Sequence, residues 1–427
     1  MKNQRPLWLG SMIALIATHL AIAALLANVT GGREIGDDAP HLMAMIRNPL
    51  ALFSNYQAAG YSNTWGSFPP LLPLFFGLLI RPWLAAGSDF WAIRLGALCW
   101  SILALLGFHW LASGVPAVPR RRLRTALWLF ALSPPLIGGS AVLPEEEAYV
   151  CLFGMLLFAV ARQSRWSLLP LLFAATAIAG KYFLLALAIP LALASPRPLR
   201  DLTRFVAVPI VVLAAYIIYH QLRFGLMPIF EYELSPAGTI SVWALLWNLG
   251  FQPPPQLIQT ASTLTTGCLV LAFCWLARRR KFPLVVSVAG TLWIVLLSVS
   301  VAFPPYLLWN LPFLLIVFAM LESAPLRWVH AGLIYLWGGI AYTSKLFRGV
   351  HLTLAMDRSG GKDAVADLLA RALGSDFPYH AAQALLTALC VAIGITYVAL
   401  LWMTAARLSG ERDKREPHRT QAKLGDA

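Results

Sequence analysis

Long runs of uncharged, apolar residues follow one another along this chain and restrict the folds that it can adopt. The first run, from Leu7 to Val29, is long enough to cross a lipid bilayer as an α-helix. Because a bilayer offers no water to bond free backbone groups, such runs become helices. The sequence therefore predicts an all-α, polytopic membrane protein with about twelve transmembrane helices over residues 1–405, followed by a charged tail at 406–427.

Arginine and lysine concentrate in short segments between the apolar runs and so indicate how the chain is oriented. Lys2 and Arg5 precede the first run, and four arginines lie within 120–124. Loops retained in the cytoplasm carry an excess of such residues. We therefore expect a protein of the inner (plasma) membrane with both termini in the cytoplasm and a disordered tail. These loops account for the formal net charge of +14, so no nucleic-acid partner is predicted.

The same rule applies to two interrupted apolar stretches. Two apolar runs lie between Asp37 and the arginine-rich segment, and only one can cross if the arginines stay inside. We expect 90–111 to cross and the proline-rich 68–86 to lie at the outer surface or re-enter, within a first outer loop at 30–90 that carries juxtamembrane helices. Basic loops flank 166–194 at both ends, which favours two short helices with a tip at Gly180-Lys181.

With this orientation, acidic and other reactive side chains collect at the outer face. They are Asp37, Asp38, His41, Glu145, Glu146, Glu147, Lys181 and Tyr306. Each also has a plain structural explanation. The aspartates and the histidine suit a solvated loop, the glutamates suit the start of a helix, the lysine suits a hairpin tip, and aromatic residues such as Tyr306 and Trp309 suit the membrane interface.

The five cysteines all lie inside apolar runs. They show no CxxC spacing of the kind that holds a metal, and they form no disulfide framework. We expect them to be small core residues.

Sugar transfer from a lipid phosphate would use groups of the kinds found at the outer face. The acceptor hydroxyl needs a base, and the departing phosphate needs cations or backbone donors. A carboxylate of the outer loop would supply the base. Lys181 would supply a cation, with Arg33 or an arginine of the last outer loop, Arg348 or Arg358.

Six segments in order resemble the GT-C fold glycosyltransferases, which are multi-spanning enzymes that use polyprenyl-phosphate sugars and include bacterial mannosyltransferase-like and aminoarabinose-transferase-like proteins. The acidic pair in Gly36-Asp37-Asp38-Ala39-Pro40-His41 is similar to that of the family's first outer loop. The other similar segments are 68–74, 90–96, 132–134 with 144–148, 180–181 and 303–312. The resemblance covers roughly 1–325. Two features depart from the family pattern: glutamate replaces the usual aspartate in the second acidic loop, and no soluble outer domain follows the last span.

The resemblance implies a role for each of these residues. Asp37 would be the general base, with Asp38 second and His41 nearby in the site. Glu146 or Glu147 would orient the acceptor or hold a divalent cation, Mg²⁺ or Mn²⁺, where one is used. Lys181 would contact the donor phosphate, and Tyr306 would line the pocket. The enzyme would be an inverting hexosyl- or pentosyltransferase, with a lipid, glycan or protein as acceptor.

Two other classes of function compete with this interpretation. A transporter or lipid flippase would need polar residues in the middle of its spans, and the sequence offers only isolated ones such as His19, His109 and Asn310. A membrane scaffold without enzymatic activity would not depend on the outer carboxylates.

Overall fold

The computed structural model describes most of the chain as helices, and no strand occurs in the part of the chain that it describes. The all-α prediction is confirmed there. The described residues are 9–30, 46–47, 71–115, 118–138, 147–179, 181–224, 240–300, 302, 306–355 and 378–424.

The helices are numbered here in chain order. The first eight are α1 (Leu9–Thr30), α2 (Leu72–Phe76), α3 (Asp89–Ser113), α4 (Arg120–Ala131), α5 (Pro134–Ile137), α6 (Glu147–Arg162), α7 (Leu169–Ala179) and α8 (Ala188–Ala194). The others are α9 (Pro198–Phe224), α10 (Val242–Asn248), α11 (Pro255–Arg279), α12 (Leu284–Ser298), α13 (Leu307–Met320), α14 (Ala324–Ala355) and α15 (Tyr379–Leu424). Short 3₁₀ segments lie at Gly77–Leu79, Arg81–Ala86, Trp166–Leu168 and Tyr182–Leu187.

Several helices have the length and composition of membrane spans. Four described helical segments are long and apolar enough to cross a bilayer: Trp91–Ser113, Pro198–Tyr219, Gln256–Arg279 and Tyr379–Ser409. Shorter apolar helices lie at Leu9–Leu25, Trp166–Ala179, Tyr182–Ala194, Leu284–Ser298 and Leu307–Met320. The total of about twelve spans stays a prediction.

The peripheral helix α9 exposes an apolar surface that would be unfavourable in water. Leu199, Ile210, Val211 and Ile218 are each more than half exposed on it. A large contiguous apolar surface of this kind marks a contact with lipid or with another protein. The exposed side chains are therefore those expected of a helix that faces acyl chains.

Helices α12 and α13 form the centre of the bundle. Every residue of α12 after the first is buried, and so is every residue of α13 from Leu307 to Ala319. A helix that is apolar on all sides is stable only when other elements surround it. Trp293 of α12 donates a hydrogen bond to the carbonyl of Gly394 on α15 at 3.0 Å, which joins the centre to the last long helix.

The arginine-rich loops lie together at one end of the bundle, here called the basic end. Arg162 at the end of α6 bonds the carbonyls of Leu111 and Gly114 at the end of α3. Arg122 bonds the carbonyl of Leu321, which follows α13, at 2.9 Å. Because α3 and α6 both end here, their first residues, Asp89 and Glu147, lie towards the opposite end.

The stretch 166–194 folds as two short helical segments, in line with the sequence prediction. Helix α7 ends at Ala179, and the chain resumes as the 3₁₀ segment Tyr182–Leu187, which continues into α8. Lys181 lies in the turn between them. The turn is held by a hydrogen bond from the Leu71 N–H to the Ile178 carbonyl at 2.6 Å.

The proline-rich region is too broken to form one span. Residues 72–86 form α2 and two 3₁₀ segments. Helix α2 packs against α7, and the 3₁₀ segments pack against α3. Trp100 donates to the carbonyl of Phe76 at 2.9 Å. Gly96 lets the backbone at Ile80 approach α3 closely. The predicted juxtamembrane position of this region stays a prediction.

Two helices are longer than the sequence predicted. Helix α14 continues to Ala355, into the segment expected to be an outer loop, and α15 continues to Leu424. The prediction of a disordered tail is therefore wrong for 406–424. Arg, Lys, Glu, Gln and Ala have high helix propensity, and a helix that is already nucleated extends at little cost.

Replacing Gly96 with alanine tests the packing of 72–86 on α3. The new Cβ would lie 2.3 Å from Ile80 Cγ1 and 2.9 Å from the Ile80 Cα, so the backbone has to move. We expect a loss of about 1–3 kcal/mol in unfolding free energy, seen as a lower thermal midpoint in detergent. Gly267→Ala, whose Cβ meets nothing within 4 Å, is the matched control. Equal midpoints for the two variants would contradict the packing.

Candidate functional site

Three of the side chains predicted from sequence meet in the structure: Glu147, Lys181 and Tyr306. Glu147 is the first residue of α6, Lys181 occupies the turn before Tyr182–Leu187, and Tyr306 directly precedes α13. Each lies at the terminus of a helical segment, where the backbone changes direction and a polar side chain can point into the bundle. They form a candidate site at the end opposite the basic end.

The centre of the site is a buried pair of opposite charges. Lys181 Nζ lies 3.8 Å from Glu147 Oε1, and only 10% and 1% of the two side chains are exposed. The other oxygen of Glu147 accepts a hydrogen bond from Trp309 Nε1. Burying a charge is costly in free energy unless the charge is paired and hydrogen-bonded. Here the ammonium and the carboxylate face each other, and the carboxylate is also hydrogen-bonded to the Trp309 indole.

Aromatic rings enclose the pair on the side of α13. Tyr306 and Trp309 stack with their ring centroids 4.2 Å apart and their planes at 19°. Phe183 stacks on Trp309 at 5.9 Å. Lys181 Nζ lies 5.5 Å from the centroid of the Tyr306 ring, which is within cation–π range. The ammonium group therefore lies between a carboxylate and the face of an aromatic ring.

The position of Glu147 combines two of the sequence interpretations. It stands in the first turn of α6, where the helix dipole stabilises a negative charge, as expected of a residue that caps a helix. It also pairs with Lys181, as expected of a site residue. Among the three adjacent glutamates, the structure places this one in the site, while Glu145 and Glu146 lie outside the described residues.

Trp309 is a site residue that the sequence reading did not identify. We expected it at the membrane interface, but it is 1% exposed and bonded to the Glu147 carboxylate. Its position three residues after Tyr306 was the available signal, because residues three apart on a helix share one face.

Arg94 is a second buried charge that sequence reasoning left without a role. It is 5% exposed and lies in the second turn of α3, beside the 72–86 region. Its place in an apolar run could have identified it from the sequence, because Asp89 and Arg94 are the two charged residues of α3. A charge inside such a run usually has a specific partner or function.

Four of the predicted site residues, Asp37, Asp38, His41 and Glu146, lie outside the described residues. Helix α1 ends at Thr30, seven residues before Asp37 in the sequence. The proximity of the acidic pair to Lys181 and Glu147 therefore stays a prediction. Arg348 lies in α14, but its side chain is among those not described.

Both oxygens of the Glu147 carboxylate have a contact in the structure. One oxygen faces Lys181, and the other accepts a hydrogen bond from Trp309. No group of three or more His, Cys, Asp or Glu side chains comes together among the described residues. Hard divalent cations need several oxygen ligands at once. The part that Glu146 or Glu147 would take in holding Mg²⁺ or Mn²⁺ therefore stays a prediction.

Comparisons with known proteins identify no family for this chain. No protein-family model, no curated protein and no solved structure matches it.

A double-mutant cycle measures whether Glu147 and Lys181 act as a pair. Glu147→Gln or Lys181→Met alone leaves one buried charge without its partner, and we expect each to cost about 3–5 kcal/mol of unfolding free energy. The double variant removes both charges and should lose clearly less than the sum. The measurement is thermal or denaturant unfolding of the purified protein in one detergent. Strictly additive losses would show that the two side chains do not interact.

Proposed function

We propose that this chain is a multi-spanning membrane glycosyltransferase. It would move a hexosyl or pentosyl group from a polyprenyl-phosphate donor to an acceptor hydroxyl at the outer face of the inner membrane. The observation that supports the proposal best is the buried Lys181–Glu147 pair, enclosed by aromatic rings at the end of the bundle away from the arginine-rich loops. The ordered resemblance to GT-C fold enzymes points to the same reaction.

Lys181 has the properties needed to bind the phosphate of the donor. Its ammonium has three N–H donors, and Glu147 and the Tyr306 ring engage part of its surface. In a site of low dielectric constant, a fixed cation stabilises charge on a departing phosphate more strongly than it would in water. Glu147 and Trp309 then act as positioning residues that hold the ammonium in place.

The base would come from the loop that follows α1. Asp37 is the proposed general base and Asp38 its alternative, with His41 and Glu146 in the same site. From Thr30 to Asp37 the extended chain can reach about 23 Å, which is enough to bring a carboxylate from the end of α1 across about two packed helices. A base and a leaving phosphate on opposite faces of the sugar would invert the anomeric centre. A lipid, glycan or protein is the proposed acceptor.

The orientation follows from the charges at the two ends of the bundle. Arg120, Arg121, Arg124, Arg162 and Arg165 all belong to loops or helix termini at the basic end. Positive loops stay in the cytoplasm, so we place the basic end inside and Lys181 outside, with about twelve spans and both termini cytoplasmic.

A transporter or lipid flippase is the alternative function. It would require a polar path through the bundle, and buried polar residues such as His330 are the places to look for one. In the described residues, however, His330 bonds Tyr397 and Thr404 at 3.2 and 2.9 Å, which links α14 to α15. Side chains bonded to one another in this way favour a structural role.

Removal of the proposed base tests the reaction. We expect Asp37→Asn to abolish transfer while the protein remains inserted and folded, because the acceptor hydroxyl keeps its proton. The assay incubates purified protein with a panel of radiolabelled polyprenyl-phosphate sugars and membrane lipids. Arg121→Gln, at the exposed basic end, is the control and should keep full activity. Activity retained in both Asp37→Asn and Asp38→Asn would refute the mechanism.

Removal of the proposed phosphate contact should slow the same reaction. We expect Lys181→Met to lower kcat/KM by about 10²–10³, the usual effect of losing one stabilising donor. Lys181→Arg keeps the charge and should recover part of the loss. If Lys181→Met transferred sugar at the rate of the unmodified protein, the lysine would have no part in the chemistry.

Cysteine labelling tests the orientation. An impermeant thiol reagent should label Asp37→Cys from the outside of spheroplasts and Arg121→Cys only in inverted vesicles, because the two positions are proposed to face opposite sides. The unmodified protein controls for its own cysteines. Labelling of both variants from one side would overturn the shared outer site.

A further inference from the structure

A cavity of about 400 Å³ opens at the basic end, far from the Lys181–Glu147 pair. It lies between α8, α11, α12 and α15, and its volume is in the range of sites for small ligands. Its polar lining consists of Arg278, Lys281, Ser287 and Ser409. The apolar lining includes Leu193 and Phe282, and no carboxylate lines the cavity among the described residues.

The charges and the apolar groups are distributed unevenly over the cavity. Arg278 and Lys281 are exposed, so their cations stand at its mouth. Phe282 and Ser287 are buried and form deeper parts of the wall. The Phe282 ring packs edge-on against the Trp402 ring, with their centroids 4.7 Å apart. The cavity therefore combines a cationic mouth with an apolar, well-packed interior.

Lys281 occupies a backbone position that favours glycine. Helix α11 ends in a turn in which the Phe282 N–H bonds the Ala277 carbonyl at 2.9 Å and the Lys281 N–H bonds the Arg278 carbonyl at 3.1 Å. This is the Schellman arrangement, and its residue with positive φ is usually Gly. Lys281 adopts φ of 54° despite its Cβ, which is an unfavourable conformation for a lysine. The strain lies in the backbone, and the position of Lys281 at the cavity mouth makes its charge the feature to test.

The end of α6 provides a comparison within the same chain. Ser164 has φ of 58°, and the Arg165 N–H and Ser164 N–H make the equivalent bonds to the carbonyls of Val160 and Ala161. The backbone geometry is the same, but Ser164 does not line the cavity. Comparing substitutions at Ser164 and Lys281 therefore separates the free-energy cost of the positive φ from any role of the lysine charge in ligand binding.

We propose that this cavity binds the headgroup of an anionic glycerophospholipid. Arg278 and Lys281 would bind the phosphate, the hydroxyl of Ser287 would bond a glycerol oxygen, and an acyl chain would lie along Leu193 and neighbouring apolar side chains. The Ser409 hydroxyl already donates to the carbonyls of Lys281 and Ala405. Charge complementarity selects this occupant, because basic pockets between membrane helices attract anionic headgroups. The apolar lining next to the cations suits a lipid better than a free phosphate.

The experiment compares full-length protein in nanodiscs of phosphatidylcholine alone with protein in nanodiscs that also contain phosphatidylglycerol. Bound lipid is counted by native mass spectrometry, and the unfolding temperature is recorded. We expect phosphatidylglycerol to be retained and to raise the unfolding temperature, because it binds the folded protein. Arg278→Gln and Lys281→Gly should each weaken this binding about fivefold, the effect of about 1 kcal/mol per basic residue near a membrane surface.

Ser164→Gly is the matched control for Lys281→Gly. Both substitutions relieve a positive φ, so both should raise the unfolding temperature in phosphatidylcholine alone. Ser164→Gly should keep the whole response to phosphatidylglycerol, and Lys281→Gly should show a smaller response that matches its roughly fivefold weaker binding. This difference separates a lost binding charge from a change in stability.

Two results would overturn the proposal. One is an equal response to phosphatidylglycerol in the unmodified protein, Arg278→Gln and Lys281→Gly. The other is equal stabilisation by water-soluble glycerol phosphate in detergent, which would identify the ligand as a free phosphate and not a lipid. Neither result depends on sugar transfer, because Lys181 and Glu147 are unchanged in all variants.

Discussion

The absence of hydrogen-bonding solvent inside a bilayer is the constraint on which this structure depends. Each backbone N–H and C=O in an apolar run must find its partner within the protein, and a helix satisfies this need along its own length. The described residues are helical throughout their apolar runs. Helix α9 exposes its apolar side chains, whereas α12 and α13 are surrounded by other helices. Polar side chains inside the bundle need partners, as His330 has in Tyr397 and Thr404, and the charged Glu147–Lys181 pair and the cavity at Lys281 lie at helix ends.

The two ends of the bundle differ in the chemistry that they support. At one end a carboxylate, an ammonium group and stacked aromatic rings are buried together, which fixes each of them in position. At the other end the cations are exposed around a cavity with apolar walls. A buried, paired charge is suited to chemistry on a bound substrate, while exposed arginines and lysines are suited to the surface of an anionic membrane. The proposed enzyme site and the proposed lipid site follow from this difference.

Local sequence pattern predicted part of the fold and part of the site. The two short helical segments around Lys181 follow from the basic residues that flank 166–194, and the broken 72–86 region follows from its prolines. The lengths of α14 and α15 were not predicted, because the charged residues that suggest a loop or tail also have high helix propensity. Trp309 was placed at the interface because tryptophan is common there, and only the fold shows its indole bonded to Glu147.

By itself the sequence determined the helical architecture of the described residues, the presence of helices long and apolar enough to cross a membrane, and the arginine-rich segments between apolar runs. These properties depend on composition and on local periodicity, which a single chain displays directly. The tertiary structure decided that Glu147 pairs with Lys181, that Tyr306 and Trp309 enclose the pair, and that Arg278 and Lys281 stand at the mouth of a cavity. Such contacts join helices that are distant in the sequence, so they depend on how the apolar faces pack and not on any local pattern.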